Sequence, residues 1–140
     1  MKALLIDVQR DTVEYVEPQG LADFYRLIDC DLIDITCREI NGRRYDIICD
    51  DCGWFRDDVK FSAVTAYGNP VLVGNLIITG EADADGDQTD LQPQDIQYLL
   101  DNIHKVRTRR YPKGYWMLCN VSNYGNIKPL LSGMDGRGNT

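Results

Sequence analysis

The 140-residue sequence lacks the motifs by which many enzymes are identified. It has no glycine-rich phosphate loop, no Gly-x-Ser-x-Gly nucleophile elbow and no His-Glu-x-x-His zinc motif. It has a single histidine, His104, and the sequence places no serine or cysteine beside it that would form a nucleophilic dyad. We therefore expect a protein that is not an enzyme and that carries no cofactor.

Long apolar runs are also missing, which argues against a membrane partner. The first apolar run, residues 3–6, ends at Asp7 and has neither the length nor the cleavage site of a signal peptide. An odd number of cysteines without such a signal predicts reduced thiols rather than a disulfide framework. We therefore expect a cytoplasmic protein with five free cysteines: Cys30, Cys37, Cys49, Cys52 and Cys119.

The apolar residues are patterned as short strands and two helices. Asn41-Gly42 is typical of a two-residue hairpin turn and predicts that residues 32–39 pair with residues 44–49. Residues 2–7 and 12–16 predict a second hairpin, and residues 71–78 predict one buried strand with a bulge or close backbone approach at Gly74-Asn75. Helices are expected over about residues 19–29 and 93–105, the second beginning at Pro93.

These elements predict an α+β fold, with a mainly antiparallel sheet and both helices packed on one of its faces. The length suits a single domain, which we place at residues 1–132, followed by a flexible tail at residues 133–140.

Five segments carry a family resemblance: residues 1–7, 62–65, 68–70 and 73–78 and the helix at residues 91–103. Together they resemble a bacterial and phage family, the domain-of-unknown-function family numbered 3846. The resemblance covers roughly residues 1–103 and leaves residues 104–132 as a basic, aromatic extension. It implies a small accessory protein of mobile elements or their hosts, and it supplies no catalytic residues.

Charge is distributed unevenly along the chain. Residues 1–104 hold 8 Lys/Arg against 21 Asp/Glu, a net charge of −13, whereas residues 105–140 hold 7 Lys/Arg against one Asp, a net charge of +6. Cations neutralise phosphates and aromatic rings stack on unpaired bases, so the basic segment is a candidate contact for nucleic acid or another macromolecule. The residues concerned are Lys105, Arg107, Arg109, Arg110, Tyr111 and Lys113. The same cations could instead pair with the acidic part of the chain.

Three other interpretations remain open. Cys49 and Cys52 form a Cys-x-x-Cys pair that would suit a small metalloprotein, although a second pair is absent. Asp83, Asp85 and Asp87 alternate as in the first half of a calcium loop, but its twelfth position is Gln92 rather than a glutamate. The acidic surface as a whole could imitate DNA and inhibit a nucleic-acid-binding protein. We expect a macromolecular partner, protein or nucleic acid, and the sequence leaves the oligomeric state open.

Overall fold

The computed structural model describes residues 1–40, 42–52, 61–64, 70–106, 109 and 115–118. These residues form nine strands and two helices. In chain order they are β1 (Ala3–Asp7), β2 (Thr12–Val16), α1 (Leu21–Ile28), β3 (Ile33–Ile40), β4 (Arg43–Asp50), β5 (Phe61–Val64), β6 (Pro70–Val73), β7 (Leu76–Thr79), α2 (Pro93–Asn102), β8 (Ile103–Val106) and β9 (Tyr115–Leu118).

Five strands form one antiparallel sheet in the order β2-β1-β7-β4-β3. Two hairpins, β1–β2 and β3–β4, supply its outer parts, and β7 lies between them and pairs with both β1 and β4. The β3–β4 hairpin closes with Ile40 opposite Arg43, and Gly42 has the positive φ of +94° that such a turn requires. The sequence predictions of both hairpins and of the α+β class are confirmed.

The two helices lie on opposite faces of the sheet, so the expectation of a single covered face is wrong. On one face, Phe24 and Ile28 of α1 pack against Leu5, Ile48 and Ile77. On the other face, Leu99 of α2 joins a larger cluster that includes the neighbouring strand residues Leu4, Ile6, Ile47, Leu76 and Ile78. Because β1 and β7 are buried at every position, both of their faces need apolar cover.

Residues 71–78 form two strands in two different sheets, which corrects the prediction of one buried strand. Gly74 adopts φ +75° and ends β6, and β7 begins at Leu76. Between them, the buried Asn75 side chain accepts the Val8 N–H at 2.9 Å and donates to the Leu27 carbonyl at 3.0 Å. This amide joins the end of β1 and the end of α1 to the start of β7.

The second helix is shorter than predicted. It ends at Asn102, and Ile103 is extended with φ −112° and ψ 119°. Ile103 is buried in the core cluster on the α2 face, and β8 then pairs with β9, with Ile103 opposite Leu118. Strand pairing and burial of this branched side chain therefore replace the last turn of the predicted helix.

Two small antiparallel hairpins complete the described structure. β5 pairs with β6, β8 pairs with β9, and β9 lies beside β5. Among the described residues, no helix is long and apolar enough to cross a membrane. The predicted tail at residues 133–140 lies outside the described residues.

Candidate functional site

An open groove of about 460 Å³ lies where the start of β4, the loop at residues 80–92 and the first turn of α2 meet. We call it the α2 groove. The hairpin turn brings two consecutive arginines to one side, and the capping box of α2 brings Gln92 and Asp95 to the other. Its lining consists of Arg43, Arg44, Tyr45, Gly80, Glu81, Thr89, Asp90, Gln92 and Asp95.

Asp95 organises the helix side of the α2 groove. One of its carboxylate oxygens accepts the Tyr45 hydroxyl at 3.0 Å and lies 3.6 Å from a guanidinium nitrogen of Arg43. The other oxygen accepts the Gln92 N–H at 3.2 Å and so caps the helix. Arg43 also stacks over the Tyr98 ring, with the guanidinium carbon 3.9 Å from the ring centre. These contacts hold the β3–β4 hairpin against α2.

Arg44 organises the loop side of the α2 groove. Its Nε donates to a Glu81 carboxylate oxygen at 3.1 Å, and another of its nitrogens lies 3.4 Å from the Cys37 sulfur. The Cys37 thiol lies 3.8 Å from the same Glu81 oxygen. Both charged side chains are largely exposed, so solvent weakens the attraction between them.

Five of the nine residues that line the α2 groove are charged. Its lining has two guanidiniums and three carboxylates, but no thiol, imidazole or amine. Burial, with a smaller contribution from Asp95, raises the pKa of Tyr45 to about 12, so its phenol stays protonated at neutral pH. The Thr89 hydroxyl donates to the Glu81 carbonyl at 2.7 Å. These side chains can hydrogen-bond or form ion pairs with a polar segment.

The Cys-x-x-Cys pair consists of two thiols in different environments. Cys49 is buried, and its thiol lies 3.6 Å from the Asp34 carbonyl, whereas Cys52 is exposed. Burial, and then the negative charge of Asp34, raises the pKa of Cys49 to about 12. The thiolate is the form that binds metal or attacks disulfides, so this environment opposes both uses.

The acidic loop is shaped by one of its own carboxylates. A single oxygen of Asp83 accepts the backbone N–H groups of Asp85, at 2.9 Å, and Asp87, at 3.0 Å. The loop follows β7, and Asp83, Asp85 and Asp87 are all exposed. In the part of the chain that the structure describes, no group of three or more His, Cys, Asp or Glu side chains is placed to hold a metal ion.

Two of the six predicted contact residues in the basic segment are described, and both belong to the β8–β9 region. Lys105 lies in β8 opposite Trp116 of β9, and Arg109 is exposed in the connection between the two strands. Because Ile103 is buried in the core, the first residue of the hairpin is anchored beside the end of α2. The other four predicted contact residues lie outside the described residues: Arg107, Arg110, Tyr111 and Lys113.

The sequence patterns do not predict the α2 groove. Its elements carry a sequence signal, since Arg43 and Arg44 directly follow the hairpin turn and Asp95 stands at the third position of the proline-initiated helix. Neither pattern shows that the hairpin reaches the helix. The two patterns lie about fifty residues apart in sequence, and it is the order of strands in the sheet that brings them into contact.

Comparison with known proteins identifies a family but no characterised relative. No curated protein and no solved structure matches the chain. The family described as domain of unknown function (DUF3846) matches residues 1–104, which contain the five-stranded sheet, both helices and the α2 groove. The match ends where the basic segment begins and covers most of the chain, so this protein is a member of the DUF3846 family.

Proposed function

We propose that this protein is a cytoplasmic accessory protein of a bacterium or its mobile elements, and that it binds nucleic acid through the basic segment without catalysing a reaction. The observation that supports the proposal is the concentration of cations in that segment, together with the exposure of Arg109. Residues 105–113 hold five Lys/Arg and no acid, and Lys105 lies in β8, which pairs with β9.

The described surroundings support this assignment. Arg109 is exposed, as a phosphate contact must be. Ile103, the first residue of β8, is only 6% exposed, so the start of this hairpin is anchored to the core. Electrostatic attraction to phosphates would be independent of base sequence, while an aromatic side chain such as Tyr111 would favour unpaired bases.

Fluorescence anisotropy with labelled single-stranded and duplex oligonucleotides tests the proposal. The triple variant R107A/R109A/R110A should bind more weakly at every salt concentration. Each lost phosphate contact reduces the number of counterions released on binding. The slope of log K against the logarithm of the salt concentration should therefore flatten by roughly 2 for single strands and roughly 3 for duplex.

A matched control removes three cations from the acidic part of the chain. Lys2, Arg10 and Arg26 are exposed, and K2A/R10A/R26A changes the net charge by the same amount. This control should retain most of the affinity and nearly the same slope. Equal weakening by both triple variants would show that only net charge matters, and an unchanged R107A/R109A/R110A variant would remove the basic segment from consideration.

The exposed acidic loop favours a second candidate, an inhibitor that imitates DNA. Its five acidic residues, Glu81, Asp83, Asp85, Asp87 and Asp90, are all exposed, and carboxylates spaced along a loop can occupy a basic groove of another protein. Such a protein would not bind oligonucleotides and would compete with them for a basic partner. Two results together would favour this candidate. The protein would bind no oligonucleotide in the anisotropy measurement, and it would displace an oligonucleotide from a basic nucleic-acid-binding protein in a competition assay.

A further inference from the structure

β3 is the strand at one side of the five-stranded sheet. Among the described residues, β3 pairs only with β4, and it is eight residues long. Ile35 in its centre is 46% exposed, and Asp34 and Cys37 are exposed as well. A long edge with an exposed apolar side chain can pair with another strand, and many proteins shield such edges to prevent it.

The hairpin register determines which backbone groups face outward. Ile40 and Arg43 flank a two-residue turn, so they exchange hydrogen bonds with each other. The Asp51 N–H donates to the Leu32 carbonyl at 3.0 Å, so Leu32, like Ile40, hydrogen-bonds across the hairpin. The even-numbered residues of β3 therefore bond to β4. The N–H and C=O groups of Ile33, Ile35, Cys37 and Glu39 therefore point away from β4.

This alternation limits how two copies of β3 can pair in antiparallel fashion. The odd-numbered residues of one copy must lie opposite odd-numbered residues of the other copy. The two-fold axis therefore passes through a residue rather than between two residues. With the axis at Thr36, Asp34 of each copy lies opposite the second copy's Arg38, and Thr36 faces its own symmetry mate. Ile35 then forms its hydrogen-bonded pair with the second copy's Cys37.

Other registers lack this charge match. An axis at Ile35 places Asp34 opposite Thr36, and an axis at Cys37 places Asp34 opposite Ile40, so neither pairs it with a cation. The opposite edge strand, β2, has Glu14 as its single charged residue, so no register of β2 pairs opposite charges on two copies. The Thr36 register of β3 is therefore self-complementary in both backbone bonding and charge.

We propose that this protein forms a two-fold symmetric dimer through β3, which joins two five-stranded sheets into one continuous antiparallel sheet. In the single chain, Asp34 accepts the Ile35 N–H at 2.9 Å. In the dimer, the second copy's Cys37 carbonyl takes that N–H, and the Asp34 carboxylate turns to the second copy's Arg38. Arg38 also has an interaction within its own chain, so in the dimer the second copy's Asp34 adds a carboxylate to the existing surroundings of that cation.

Charge reversal tests the register. Sedimentation velocity of the full chain over a range of concentrations should show a dimer for the wild type. Because of the symmetry, D34R or R38D alone turns two attractive pairs into two repulsive ones, and each should weaken dimerisation by about tenfold or more. The double variant D34R/R38D restores opposite charges and should dimerise again. A monomeric wild type, or a dimer that neither single variant weakens, would overturn the proposal.

A cross-link tests the axis directly and does not depend on how the charge variants fold. Thr36 at a two-fold axis forms a non-hydrogen-bonded pair with Cα atoms about 4.5 Å apart, within disulfide range. In a background with serine at Cys30, Cys37, Cys52 and Cys119, T36C should form a disulfide-linked dimer on mild oxidation. E14C on β2 is the matched control and should stay monomeric. Failure of T36C to cross-link, or equal cross-linking of E14C, would refute the β3 interface.

Discussion

Replacing Asn75 with alanine should destabilise the protein strongly for a single polar side chain. The Asn75 side chain is buried and makes two hydrogen bonds, to the Val8 N–H and the Leu27 carbonyl. Alanine leaves both backbone groups without that partner. Each unsatisfied buried group costs about 1–3 kcal/mol, and since Val8 and Leu27 are themselves only half-buried, we expect a total loss of roughly 2–4 kcal/mol in the free energy of unfolding.

Urea denaturation followed by circular dichroism measures this loss. The matched control is Q97A, which truncates an exposed amide whose one hydrogen bond, to Asp101, lies on the surface of α2. Surface substitutions of this kind change stability by less than about 0.5 kcal/mol. If N75A and Q97A were equally stable, the two bonds of Asn75 would not join β1 and α1 to β7 in the way that the geometry indicates.

Three further variants or reactions test individual contacts. Burial raises the pKa of Tyr45 from 10.0 to about 12, so the stabilisation from its protonated hydroxyl is complete below pH 10 and is lost as pH rises towards 12. In urea titrations, the difference in free energy of unfolding between wild type and Y45F should therefore shrink across that range. Cys49 should react with iodoacetamide far more slowly than the exposed Cys37, as peptide mass spectrometry would show, and equal rates would contradict its burial. G80A places a methyl group against the Thr89 hydroxyl and should cost about 1–3 kcal/mol in the same urea assay, so a fully stable variant would disprove the close approach.

Local signals in the sequence were enough to predict the hairpins and the start of the second helix. Asn41-Gly42 allows few turns other than the one that places Ile40 opposite Arg43, and Pro93 suits the first turn of a helix. These features depend on residues close together in the chain. Their physical causes, backbone conformation and capping, operate over a few residues.

The sequence predictions that were wrong or missing concern features that depend on residues far apart in sequence. The run at residues 71–78 is apolar throughout, and apolarity alone does not show that Gly74 turns the chain from one sheet into another. Likewise, the stripe that includes Leu99 shows that α2 must be covered, but not by which face of the sheet. The α2 groove was missed for the same reason, because Tyr45 and Asp95 meet only after β7 has joined the two hairpins.

The position of β7 has a consequence for synthesis of the chain. Leu5 in β1 pairs with Ile77 in β7, and β7 also pairs with β4. The two hairpins are synthesised before β7, so they cannot join into one sheet until β7 has been made. Contacts between residues so far apart in sequence form slowly because a long loop must close first. While the ribosome is still adding residues up to Thr79, the nascent protein exposes the apolar edges of β1 and β4, and this is the interval in which it would depend most on chaperones.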